Sequence, residues 1–176
     1  MKRLFLLALF AIVSSFSQNA GACTGITLRT ISGSPVTART IEWAGNDLES
    51  RYSIVPRGYS QRSFTPDGQK EGMMFTAKYG YVGLAVEQAE FVVEGINEAG
   101  LAAGLFYFPG YGEYETYSDA NKEKTVSDLQ LVSWILSNFK TIDEVKAAIA
   151  AVQPKGYYIL IKGSNGIKLY QLPETL

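Results

Sequence analysis

The chain has 176 residues, of which 47% are hydrophobic and 19% charged, with a formal net charge of −1. That balance fits one globular domain with its own core and excludes a disordered chain or a basic nucleic-acid or membrane footprint. With no histidine and a single cysteine, a His-based triad, a histidine zinc site and an internal disulfide are excluded, and no cofactor is expected.

The first 22 residues read as a secretory signal peptide. Lys2 and Arg3 are basic, residues 4–13 form an almost unbroken apolar run, and a small, polar tail ends in Ala20-Gly21-Ala22. The run is short for a transmembrane helix, and no later stretch reaches the needed length. Cleavage after Ala22 would place the protein in the periplasm or outside the cell. The domain would then span residues 23–176, with Cys23 as its first residue. A lipid anchor on Cys23 is the rival reading. Ala20 stands where lipoprotein signals carry leucine, and Thr24-Gly25-Ile26-Thr27-Leu28 reads as a strand instead of a tether.

Residues 23–29 and 36–43 predict a hairpin around Ser32-Gly33-Ser34-Pro35. Alternation puts Arg39 and Ile41 on one face and Thr40 and Glu42 on the other, unless a bend re-aims them. Residues 52–56 predict a strand, and residues 57–72 a polar connection. Residues 73–78 and 81–86 predict a hairpin about Tyr79-Gly80. Residues 91–94 predict a strand, Gly95 to Gly100 a tight turn, and residues 101–108 an apolar strand. Residues 111–124 form a polar and aromatic loop, read as a pocket rim.

The period then changes to helical. Ser127 with Gln130 predicts a capping box, followed by a stripe of Leu129, Val132, Ile135, Leu136 and Phe139. Thr141 with Glu144 predicts the cap of a second helix over residues 142–152. Residues 157–161 and 167–172 predict a last hairpin about Gly163-Ser164-Asn165-Gly166. The order of strands, helices and strands indicates a layered α+β domain. The final strands would be open edges unless another segment or chain covers them.

A terminal Cys23 would carry a thiol nucleophile and an α-amine base on one residue, the requirement of an N-terminal-nucleophile amidohydrolase. Arg39 on the adjacent strand is the candidate to favour the thiolate, and Glu42 the candidate to hold the α-ammonium. Both also fit an ordinary surface pair on a strand. Asn97 and Glu98 fit a turn, and Tyr107 fits core packing as well as an oxyanion donor.

In these segments the sequence resembles the choloylglycine hydrolase and penicillin V acylase family. The matching pieces are Cys23-Thr24-Gly25, Ala38-Arg39-Thr40-Ile41-Glu42-Trp43, Val55-Pro56-Arg57-Gly58, Lys78-Tyr79-Gly80, and Glu94-Gly95-Ile96-Asn97-Glu98-Ala99-Gly100-Leu101. Tyr107-Phe108-Pro109-Gly110 and Thr141-Ile142-Asp143-Glu144-Val145 follow in the same order. The resemblance implies an αββα sandwich, here its N-terminal portion, since members run to roughly twice this length. It implies Cys23 as nucleophile and Arg39 as the arginine beside it. Glu42 stands where members usually carry aspartate. Tyr107 falls at the oxyanion-side position, with the tyrosine typical of penicillin V acylases. Substrates would be N-acylated small molecules such as conjugated bile salts or phenoxyacetyl penicillins. The expected partners are that substrate and either a second copy of the chain or a complementing C-terminal segment. A non-catalytic binding protein, exported or lipid-anchored, and an inactive fragment remain the alternatives.

Overall fold

A computed structural model describes residues 23–42, 47–106 and 116–152. Residues 1–22, read as a signal peptide, Tyr107 and the hairpin expected over residues 157–172 lie outside the described residues.

Among the described residues, eight strands and two α-helices follow in chain order. The strands are β1 (Gly25–Arg29), β2 (Pro35–Arg39), β3 (Ser50–Val55), β4 (Ser60–Arg62), β5 (Met74–Thr76), β6 (Tyr81–Val86), β7 (Val92–Asn97) and β8 (Ala102–Gly104). The helices are α1 (Leu131–Asn138) and α2 (Ile142–Val152). The architecture is α+β, as its alternating and then helical periods indicate. The expected first hairpin forms: β1 and β2 pair antiparallel, with Gly25 opposite Arg39. Its turn closes through Thr30, whose carbonyl accepts the Gly33 N–H at 2.9 Å and whose hydroxyl accepts the Ser34 N–H at 3.0 Å. Gly33 sits there at φ +86°, a region that L side chains avoid.

The hairpin expected about Tyr79-Gly80 does not form. β5 pairs with β4, Phe75 opposite Gln61, and β6 instead joins an antiparallel sheet of order β3-β6-β7-β8. The chain turns a corner between them because the Lys78 and Tyr79 N–H groups donate to the Ser137 carbonyl, at 2.8 and 3.2 Å. The next N–H, that of Gly80, is taken by the Glu98 carboxylate at 2.7 Å. β4 lies in the stretch read as a loop, since Ser60-Gln61-Arg62 offers no apolar alternation. Only its central residue, Gln61, is buried, and its amide donates to the Tyr81 hydroxyl at 3.0 Å. β7 also runs on to Asn97, three residues past the expected strand end. Gly95 stands within that strand, because a Cβ there would come within 2.8 Å of Leu136 Cδ1 and 2.7 Å of the Val82 carbonyl. β8 is shorter than expected.

The core lies between one face of this sheet and α1. Tyr81, Ala85, Val92, Val132 and Leu136 are its buried members, with Val55, Ala103 and Leu105 packed around them. Of the expected stripe, Val132 and Leu136 are buried, together with Ser133 and Ser137, while Leu129, Ile135 and Phe139 are only half-buried. The Ser127–Gln130 capping box is absent. A 3-10 turn occupies Asp128–Gln130, and the Gln130 side chain instead accepts the Phe64 N–H at 2.7 Å and the Ser63 hydroxyl at 3.0 Å. The Ser127 N–H that a capping box would give to Gln130 is already taken by the Ser63 hydroxyl at 2.7 Å, and the buried Gln130 amide serves the Phe64 N–H instead. The second cap does form: the Thr141 hydroxyl accepts the Glu144 N–H at 3.2 Å, and the Glu144 carboxylate reaches back to the Lys140 N–H at 2.9 Å.

The other face of the sheet carries Tyr52, Ile54, Val82, Ile96 and Glu94, which share it by register. Ile54 is 81% exposed, whereas the β7–β8 end of this face meets the β1–β2 hairpin through Arg39.

Candidate active site

The hairpin places Cys23 just before β1, opposite the residues that follow β2. Pairing continues past the last formal ladder position, since the Thr40 N–H donates to the Thr24 carbonyl at 2.9 Å. There the ladder changes character. The Thr24 N–H is accepted by the Thr40 hydroxyl at 3.0 Å, while the Thr40 carbonyl accepts Arg39 Nε at 3.2 Å. The regular ladder ends with this exchange of partners. Just beyond it the Glu42 backbone meets the sulfur: the Glu42 N–H lies 3.5 Å from Cys23 Sγ, and the thiol can donate to the Glu42 carbonyl at 3.6 Å. Cys23 is partly exposed. A sulfur that can be approached by a substrate and that meets both a backbone N–H and a carbonyl suits a nucleophile, since thiol and thiolate each find a partner there.

Arg39 turns towards the four-stranded sheet. Its side chain is 5% exposed, with Nε 3.8 Å from Glu94 Oε2. Nη1 donates to the Val93 carbonyl at 3.3 Å and to the Leu105 carbonyl, and the guanidinium lies over the Phe106 ring, 4.4 Å from its centroid. The arginine therefore ties the Cys23 hairpin to the strand end that leads into residue 107. Glu42 meets Cys23 through its backbone, and its side chain is exposed. Tyr107 lies outside the described residues, one position beyond Phe106.

Phe106 opens the aromatic stretch 106–117, whose composition suits an apolar pocket as well as core packing, whereas the sequence assigns Glu94 no role. One signal was available for Glu94: it is a lone carboxylate within Val92-Val93-Glu94-Gly95-Ile96. Burial raises its carboxyl above the ordinary value, and Arg39 pulls it part of the way back. Between the hairpin and β7–β8 lies a cavity of about 110 Å³, lined among others by Gly25, Thr37, Arg39, Glu94, Gly104 and Phe106. The hairpin can sit this close because residue 25 has no side chain: a Cβ there would fall 2.7 Å from Phe106 Cζ. A second, larger cavity of about 750 Å³ is lined by Phe64, Tyr117, Asn121, Lys124 and Asp128, so the described part of the aromatic loop does form a rim. Neither Cys23 nor Arg39 lines that cavity. Among the described residues, no group of three or more Cys, Asp or Glu side chains is placed to hold a metal. No helix among them is long and apolar enough to cross a membrane.

Comparison with known proteins supplies an independent line. The model of linear amide C–N hydrolases, choloylglycine hydrolase family, matches residues 23–167. A bile salt hydrolase/transferase of Bifidobacterium longum subsp. longum is 27% identical over 130 residues, which cover 74% of this chain and 39% of that protein. A bile salt hydrolase/transferase of Clostridium perfringens is 26% identical over 135 residues, covering 72% of this chain and 37% of that protein. The alignments thus span well under half the length of these curated relatives. No solved structure gives a significant match.

Proposed function

Starting from a chain that belongs to the choloylglycine hydrolase family of linear amide C–N hydrolases, we propose that it cleaves the amide bond of N-acylated small molecules with Cys23 as nucleophile. Conjugated bile salts and phenoxyacetyl penicillins are the substrate classes this reading names. The observation that carries it is the partly exposed Cys23 sulfur facing the Glu42 N–H, at the start of the family match.

The reading requires export and removal of residues 1–22, which places the enzyme in the periplasm or outside the cell. The thiol gives its proton to the new α-amine and the sulfur attacks the amide carbonyl carbon. The C–N bond breaks, the leaving amine takes the proton back from the α-ammonium, and a thioester remains on Cys23. Water then attacks the thioester, its proton passing to the α-amine, and the carboxylic acid leaves as the thiol re-forms. Arg39 holds the hairpin in place, Glu42 holds the ammonium, and Tyr107 donates to the carbonyl oxygen as negative charge develops there. An αββα arrangement of the layers belongs to the same proposal.

Intact mass and N-terminal sequencing of the secreted protein test the premise. A mature form beginning at Cys23, with no lipid mass, is expected, and any other start refutes the mechanism. Amine release from a glycine-conjugated bile salt and from phenoxymethylpenicillin should be lost in Cys23→Ser. Undiminished release would remove the nucleophile assignment.

A further inference from the structure

We propose that Glu94 is the positioning residue for the Cys23 sulfur, acting through Arg39; this rests on the reading of Cys23 as nucleophile.

The connection runs through consecutive contacts. The Glu42 N–H meets Cys23 Sγ at 3.5 Å just past the point where the ladder ends at Thr40. That end is held where the Thr40 carbonyl accepts Arg39 Nε at 3.2 Å and the Thr40 hydroxyl takes over the Thr24 N–H at 3.0 Å. The position of Nε therefore sets where residues 40–42 lie against the sulfur.

Two groups of contacts fix the guanidinium. The Val93 and Leu105 carbonyls and the Phe106 ring hold its Nη1 end and its plane. These acceptors are neutral, and a guanidinium that is 5% exposed needs a countercharge. Glu94 supplies one, with Oε2 3.8 Å from the same Nε that engages Thr40. In this pair, Arg39 faces Glu94 from the hairpin while Glu94 projects from β7. Register places uncharged residues beside it, Leu84 on β6 and Gly104 on β8. Removing the carboxylate leaves a buried cation drawn towards water, and its movement releases the Thr40 carbonyl. The N–H···S contact is then lost, although neither Glu94 nor Arg39 needs to touch the sulfur.

The test is the rate at which iodoacetamide alkylates Cys23 in the purified protein at pH 7, since this reading needs no turnover. Glu94→Gln, which keeps size and polarity but removes the charge, should slow alkylation about five- to tenfold, the worth of one ordinary hydrogen bond. Glu94→Asp should recover most of the rate. Adding Arg39→Gln to Glu94→Gln should slow it no further, because the two side chains act in series. Unchanged alkylation in Glu94→Gln, or no recovery with aspartate, overturns the proposal, as does a further slowing in the double variant. Where a substrate is hydrolysed, the loss should fall on kcat with KM held within about twofold, and a loss confined to KM also overturns it. Hydrolysis that survives Cys23→Ser refutes the functional reading on its own, so the two failures are told apart.

Discussion

On the helix side of the four-stranded sheet, the buried Asn97 side chain is a neutral amide that meets only backbone. The Asn97 amide donates to the Leu136 and Phe139 carbonyls at 3.0 and 2.7 Å, and its oxygen accepts the Ala99 and Leu101 N–H groups at 3.1 and 3.0 Å. On the hairpin side, the same sheet is tied by an ion pair, Arg39 with Glu94, backed by carbonyls and an aromatic ring. Asn97 closes the end of α1 and the β7–β8 turn with no charge involved, so its hold is independent of pH and salt. The hairpin that carries Cys23 is held by groups that respond to both. The scaffold is thus pinned by amides and the candidate site by charges.

That contrast can be broken in order of effect. Leu136→Ala, which opens a cavity at a side chain with no exposure, should cost about 3–4 kcal/mol in urea denaturation. Asn97→Ala strands two carbonyls and two N–H groups at a site 4% exposed, and should cost about 3 kcal/mol with no dependence on ionic strength. A loss that shrinks in high salt would break the comparison.

Arg39→Ala should cost about 2–3 kcal/mol, less than a fully buried pair because the Glu94 side chain is 32% exposed. Unlike Asn97→Ala, it should also slow the alkylation of Cys23. Lys70→Ala marks the small end. Lys70 is itself 54% exposed, against 5% for Arg39, and the loss should stay below about 1 kcal/mol and vanish in salt.

pH sharpens the same contrast, because Glu90 and Glu94 move in opposite directions. The hydrogen bond from Lys70 lowers the Glu90 carboxyl, so its contribution is full above the unfolded-chain value and is lost as pH falls through the folded value. Burial raises the Glu94 carboxyl, so the folded state binds that proton more tightly than the unfolded chain does. The Glu94 contribution is therefore full in acid and is lost as pH rises through the folded value. Urea denaturation across the acid range should show wild type losing stability relative to Glu94→Gln as pH rises. It should gain relative to Glu90→Gln. Parallel curves would remove the distinction.

How far the sequence reveals these features depends on the type of contact. The β1–β2 hairpin and α2 are legible because local signals decide them: a glycine turn with β-branched flanks, and a Thr-x-x-Glu start. The β5–β6 hairpin is misread because its fate depends on Ser137 and Glu98, contacts that no local pattern shows. Gln130 has the right spacing for a cap, yet its amide serves Phe64, far away in sequence. In the site, Cys23 and Arg39 were visible from position and charge. The partner of Arg39 was not, because Glu94 reaches it only after the hairpin folds onto β7.

Gly25 carries a lesson for redesign. With Phe106 against it, this glycine fixes how near the hairpin layer can approach the sheet, and an alanine there would push the ring off the arginine beneath it. Reshaping the small cavity therefore has to begin from its other wall, at Ala102 on β8. Position 25 works as a spacer two residues from Cys23, and it leaves no room for tinkering.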